Sequence, residues 1–255
     1  MVAKIKKHAG VIWAVHGYRA LYRLNRHWIL VPSSFLTIFV GLPWLAPLFM
    51  EMGWTAAGEA IYLIYRVFCH QLPQRSFFLF GEQLMVPLET VQSLWADSAS
   101  PLILRQFNGN AEIGWKVAWS DRMVYMYTSI LLFGILFWIL RKRLGSLTWK
   151  VLLLFPLPMA IDGTTHVLSE ISGGIGGGFR YTNDWLAILT GSAFPTTFYV
   201  GDGLGSFNSW LRLITGILFG LGVGWFAYPL LHCAFANTTA QIETKFLQAN
   251  RNLER

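Results

Sequence analysis

Charged side chains are scarce in this sequence. They make up 13% of its 255 residues, against 54% hydrophobic. A soluble domain carries roughly 25% charged residues. With a mean hydropathy of +0.45, there is too little polar surface to cover a water-soluble globule, and disorder is excluded for the same reason. Cysteine is scarcer still: Cys69 and Cys233 are the only two, far apart and in no CxxC pair. That excludes a zinc ribbon and a thioredoxin-like motif. Acid is short relative to base, and the net charge is +7. Such a balance invites a nucleic-acid reading. The basic residues, however, sit in short runs beside apolar segments, as they do in oriented membrane proteins. No nucleic-acid partner is expected. Residues 1–27 do not read as a signal peptide, because the apolar stretch after their basic residues is too long for an h-region and no small-residue cleavage site is present.

What is present is apolar length. A membrane crossing needs ~20 apolar residues, and residues 28–50, 124–140 and 211–233 supply it. A fourth crossing starts after Lys150 and must continue to about Ser169, which places Asp162 and His166 inside it. The fold class expected is an all-α integral membrane protein with about four transmembrane helices. Residues 1–27 and 141–150 together carry ten basic residues and no acid, whereas 51–123 carry seven acids against five bases. The positive-inside rule then predicts a multi-pass protein of the inner cell membrane with both termini cytoplasmic. The organisation expected is a basic cytoplasmic segment 1–27, one membrane domain 28–233 with outer-face segments at 51–123 and 170–210, and a cytoplasmic tail 234–255.

Shorter apolar stretches at 56–68, 77–88 and 185–200 read as interfacial or re-entrant helices on the outer face, where neighbouring protein can satisfy their backbone. Many of the 12 tryptophans fall near span ends, as an interfacial aromatic belt requires. One short repeat is visible. Asn183 to Gly191 aligns with Asn208 to Gly216, with Asn, Trp, Leu, Thr and Gly recurring in register. Asn favours helix N-caps, so each copy should open a helix at the outer surface. The run Gly173 to Gly178 lacks phosphate-loop spacing and reads as a flexible turn or a close backbone approach.

Ionisable residues inside spans are costly and mark functional candidates. Asp162 and His166, at i and i+4, share a helix face. Arg75, Asp121, Arg122, Asp162, His166, Arg180 and Arg212 should form one buried polar cluster near the outer surface. Cys69, His70, Asp162 and His166 offer S, N and O donors that suit zinc or iron. A metal ion is therefore one expectation, beside a purely structural reading. His232, at the inner end of the last span, is a candidate axial ligand for haem or a chlorophyll magnesium. Cys69 and Cys233 lie at opposite membrane faces, so no disulfide between them is expected.

The stretch Cys69-His-Gln-Leu-Pro-Gln-Arg-Ser-Phe-Phe-Leu-Phe-Gly81 resembles the CHQxPxRSFFxxG signature of a bacterial and archaeal family of uncharacterised polytopic membrane proteins, a domain of unknown function. Pro158 to His166 is similar to a second signature, usually DGxTQ. Residues 208–222 resemble a third. The resemblance covers about residues 60–230. It implies a membrane fold and location, and no reaction. The family usually has a cysteine where this chain has Ser120, and a glutamine where it has His166.

The function expected is a non-catalytic subunit or assembly partner of a bioenergetic membrane complex, in contact with the lipid bilayer and with other membrane subunits. A metal-binding or redox enzyme built on Cys69, His70, Asp162 and His166 is the alternative. A small-molecule transporter is the second alternative.

Overall fold

The computed structural model describes residue 17 and residues 19–253. The basic residues Lys4, Lys6 and Lys7, with His8 and His16, lie outside the described residues, as does the end of the tail.

Four helical spans are long and apolar enough to cross a membrane: Leu30–Glu51, Asp121–Leu140, Trp149–Gly173 and Phe207–Lys245. They run alternately up and down. In chain order the elements are α1 (Leu30–Glu51), α2 (Thr55–Tyr65), β1 (Ser76–Leu79), α3 (Leu88–Leu94), α4 (Pro101–Leu104), β2 (Gly109–Asn110), β3 (Gly114–Ser120) and α5 (Asp121–Leu140). They are followed by α6 (Trp149–Leu152), α7 (Leu157–Gly173), α8 (Phe179–Thr182), α9 (Asp184–Leu189), α10 (Thr196–Tyr199) and α11 (Phe207–Leu253). The third span is α6 and α7 together. Helix α11 has 47 residues. At 1.5 Å per residue it is about 70 Å long, more than twice the hydrocarbon thickness of a bilayer.

The spans leave residues 52–120 and 174–206 at one end of the bundle. That end carries a three-stranded antiparallel sheet of order β1-β3-β2. This corrects the helical expectation for 77–88: its first residues form edge strand β1, and the remainder is a turn that folds back so that Phe78 N donates to Leu84 O at 2.8 Å. The short stretch at 56–68 is helix α2 as far as Tyr65 and then a turn, and 185–200 breaks into α9 and α10 around Pro195. Strand β3 lies over α1 and α2. There Tyr62, Tyr65, Cys69, Phe77, Val117 and Trp119 form a core, with Phe39, Tyr65 and Tyr127 edge-on to the Trp119 ring at 4.9–5.2 Å. Aromatics and β-branched residues suit a pleated, half-covered surface. A second core, at the other end, joins α1, α5 and α11 through Trp28, Phe137 and Tyr228.

Candidate functional site

The site begins with how α5 meets α11. Gly216, Gly220 and Gly224 recur every four residues and so form one stripe along α11. A Cβ at Gly220 or Gly224 would strike Ser129 and Met126 O, or Phe133, and one at Gly216 would press tightly on Tyr125 and Arg122 O, all on α5. Small residues at this spacing let helix backbones approach closely in a membrane. Arg212 lies one turn before Gly216 on the same stripe. The close approach therefore delivers its guanidinium to Asp121, the first residue of α5. Arg212 Nε lies 2.8 Å from both Asp121 oxygens, and the two residues are 2% and 0% exposed.

A chain of alternating charge extends from this pair. Arg212 Nη1 donates to Asp202 Oδ1 at 2.9 Å, and its Nη2 donates to the Asp202 carbonyl. Asp202 Oδ2 accepts from Arg75 Nε at 2.8 Å. Arg75 Nη2 reaches Glu170 Oε1 of α7 at 2.7 Å. Burial alone would push the Asp202 carboxyl up, but the guanidinia of Arg75 and Arg212 outweigh it and hold Asp202 below its usual range. Burial acts to lower Arg75, and Asp202 with Glu170 overcome it and raise it.

A second chain lies beside the first. Asp162 Oδ2 accepts from Arg122 Nη2 at 2.6 Å, and Oδ1 accepts from Arg180 Nη2 at 2.8 Å. Arg180 Nη2 also lies 3.0 Å from Asn208 Oδ1 and 3.3 Å from His166 Nε2. The glycine run sets the position of Arg180. At Gly178 any Cβ would collide with Ser169, and that contact lets Ser169 Oγ accept from Arg180 N at 2.9 Å. The two repeat asparagines meet here. Asn183 Nδ2 and Asn208 Nδ2 both donate to the Arg180 carbonyl, at 2.8 and 2.6 Å. Neither acts as the helix cap that the sequence suggests. Asn183 precedes α9 in a left-handed conformation, φ +47°, without a side-chain cap.

All seven residues named from the sequence (Arg75, Asp121, Arg122, Asp162, His166, Arg180 and Arg212) are in this assembly. The first chain holds three carboxylates and two guanidinia, and the second holds two guanidinia and one carboxylate. Their opposite net charges cancel. Two members were missed. Glu170 extends the Asp162, His166 face by one more i+4 step, a signal that was available. Asp202, between Gly201 and Gly203, reads as a solvated turn.

The four metal-ligand candidates do not come together. Among the described residues no three of His, Cys, Asp and Glu are grouped to hold a metal ion. Asp162 has both oxygens on guanidinia, His166 Nε2 faces Arg180, and His70 is exposed. Cys69 is buried elsewhere. Its Sγ accepts from the backbone N–H of Gln71 and Ser120 at 3.3 and 3.4 Å and donates to Ser120 Oγ at 3.3 Å. Both cysteines are free thiols. At the other end of the bundle His232 Nδ1 accepts from Trp28 Nε1 at 3.4 Å.

Lys116 was not anticipated. On β3 it is 0% exposed, with Nζ donating to the carbonyls of Gln71 and Arg105 at 3.0 Å each. Burial, reinforced by Arg66 and Arg105, lowers it to about 7.

A charge-balanced cluster at one end of a four-span bundle defines a polytopic membrane protein, and family comparison agrees. Residues 112–226 match a family described as predicted membrane protein (DUF2085), and the chain resembles that uncharacterised family. The matched region contains both charge chains except Arg75, and the signature at 69–81 falls outside it. An uncharacterised protein of the archaeon Methanocaldococcus jannaschii is 26% identical over 188 residues, covering 69% of this chain and 92% of that protein. No solved structure matches the chain.

Proposed function

We propose that the protein is a non-catalytic subunit or assembly partner of a membrane complex. One observation carries this reading: every carboxylate and guanidinium of the buried cluster is spent on another member of it. Catalysis by such residues needs a base, nucleophile or metal site left available to a reactant. Here the ionic groups cross-link the turn at Arg75, the loop at Asp202, and α5, α7, α8 and α11 instead. The high aromatic content, 16%, suits a bioenergetic host. For orientation, we place the sheet-bearing end outside the cell membrane and both termini in the cytoplasm. Arg141, Lys142 and Arg143 sit at the opposite end, and the positive-inside rule supports this assignment.

The test is purification from native membranes in mild detergent, with elemental analysis. The expected result is a larger complex of fixed stoichiometry. A monodisperse monomer with stoichiometric metal, lost in His166→Gln, would overturn the reading in favour of an enzyme. Maleimide labelling of Lys142→Cys and Asp97→Cys, both exposed, checks the orientation. Labelling of position 97 from outside only is expected, and outside labelling of position 142 contradicts it.

A further inference from the structure

We infer that the sheet-bearing end carries a site for an anionic glycerophospholipid, whose headgroup phosphate is held by Arg66 and Arg105 while its acyl chains lie on the apolar residues around them. Arg66 is the residue after α2, and Arg105 is the residue after α4. The two helix ends meet there: Arg105 Nη2 donates to the Arg66 carbonyl at 3.0 Å. Both guanidinia also act on the buried Lys116 and lower it, so three basic groups share this corner.

The charge of the corner is uncompensated. Among the described residues neither arginine makes an ion pair, and the ion pairs of this end belong to the two chains around Arg212 and Asp162. Glu59, whose carboxylate also acts on Lys116, accepts from Asn108 Nδ2 at 2.9 Å instead. Both arginines are half-buried. Each has its Nε enclosed without a partner, but both Nη atoms of Arg66 and Nη1 of Arg105 are unpaired and reach the surface. Those are the atoms that a ligand can meet. A guanidinium presents parallel N–H donors in a fork that fits phosphate oxygens.

The surroundings select a lipid over a dissolved anion. The Tyr65 hydroxyl donates to Phe39 O of α1 at 2.9 Å, and Phe68 packs edge-on to the Phe39 ring at 5.5 Å. Phe39 in turn meets Tyr127, in the second turn of α5, at 5.1 Å. Arg66 lies between Tyr65 and Phe68 in the chain, so it stands beside the first turns of a spanning helix. An arginine there without a counter-charge is costly, and extending to the headgroup level relieves the cost. Ile64, Val67 and Phe68 near Arg66 in the chain, and Leu102 and Ile103 near Arg105, are all exposed, Val67 to 83% and Leu102 to 67%. Exposed apolar side chains around a pair of unpaired cations match a molecule that joins an anion to hydrocarbon chains.

The test is native mass spectrometry of the full chain in detergent, reading the first bound lipid, with dioleoyl phosphatidylglycerol, dioleoyl phosphatidylcholine and inorganic phosphate as probes. The wild type should bind one phosphatidylglycerol about tenfold more tightly than phosphatidylcholine, and Arg66→Gln should lose about that factor, as removal of a charge-assisted hydrogen-bond pair does. Its phosphatidylcholine binding should stay unchanged. Arg143→Gln, which removes an exposed base at the opposite end, should keep the preference. Equal wild-type affinity for the two lipids overturns the proposal, as does an unchanged preference in Arg66→Gln. An equal loss in Arg143→Gln also overturns it, because it moves the selective site to the other end. So does displacement of phosphatidylglycerol by millimolar inorganic phosphate, which would make the corner a site for a free anion. If Arg66→Gln does not fold, Arg66→Lys keeps the charge and removes the fork. A several-fold loss of phosphatidylglycerol affinity is then expected, and no loss overturns the proposal.

Discussion

At the sheet-bearing end, α5, α7 and α11 are joined by ion pairs through Asp121, Arg212, Asp202, Asp162 and their partners. At the opposite end the same α5 and α11 are joined to the start of α1 by rings: Trp28 stacks on Phe235 at 5.5 Å, and Phe137 on Tyr228 at 6.0 Å. The contrast is one of tolerance. Lipid is as apolar as a leucine side chain, so ring packing in a bilayer gains only dispersion and shape. A buried ion pair gains little over an apolar substitute, yet becomes very costly when one partner is removed. One end of the bundle can therefore loosen by degrees. At the other, removing one partner leaves a buried charge uncompensated.

The largest expected effect follows from Arg212→Ala. It strands Asp121 without its guanidinium and strips Asp202 of one of two, and it should cost about 3–5 kcal/mol when unfolding is followed in mixed micelles of rising SDS content. Phe137→Ala at the ring end deletes a ring that is 0% exposed. With no water-transfer contribution to lose, it should cost only about 1–3 kcal/mol. A larger loss for Phe137→Ala than for Arg212→Ala would reverse the comparison.

Lys116 refines the comparison, because it is a buried charge with carbonyl partners and no carboxylate. Its lowered value, about 7 against the ordinary 10.5, means that the unfolded chain holds the extra proton between those two pH values. Stability should therefore rise as pH increases from 7 toward 10, the direction in which unfolding takes up protons. Below pH 7 both states hold the proton and the penalty is fully present. Lys116→Met should be more stable at neutral pH and should lose this slope. An unchanged slope in a pH series of unfolding temperatures would show that Lys116 is not its source. A smaller effect is expected for Ser120→Cys. The 3.3 Å contact between Cys69 Sγ and Ser120 Oγ should let position 120 close a disulfide on mild oxidation, detectable as a lost free thiol by maleimide mass shift.

The four spans were legible because ~20 apolar residues have few other uses. The i, i+4 pairing of Asp162 and His166 was legible from helix geometry, and Glu170 was available by the same rule. The sheet was not. Strand β3 is buried along most of its length, so it lacks the alternation that marks a half-exposed strand, and Lys116 reads as a surface residue until its two carbonyl acceptors are seen. The run at 77–88 has the apolarity of a helix, and only the pairing of Phe78 with Lys116 makes its start a strand. Asp202 was hidden because its role comes from Arg75 and Arg212, both brought in by tertiary packing. The repeat asparagines had the residue type of helix caps but were recruited by the Arg180 carbonyl.

A double-mutant cycle on Asp121 and Arg212 tests most directly the claim that these charges form a closed, mutually compensating network. Asp121→Asn leaves the cluster one positive charge in excess and Arg212→Gln leaves it one negative in excess, while the double variant restores neutrality. The account predicts that the double variant loses less stability than the sum of the two singles, by about 2 kcal/mol or more. Additivity to within about 0.5 kcal/mol, the behaviour of independent sites, would contradict it.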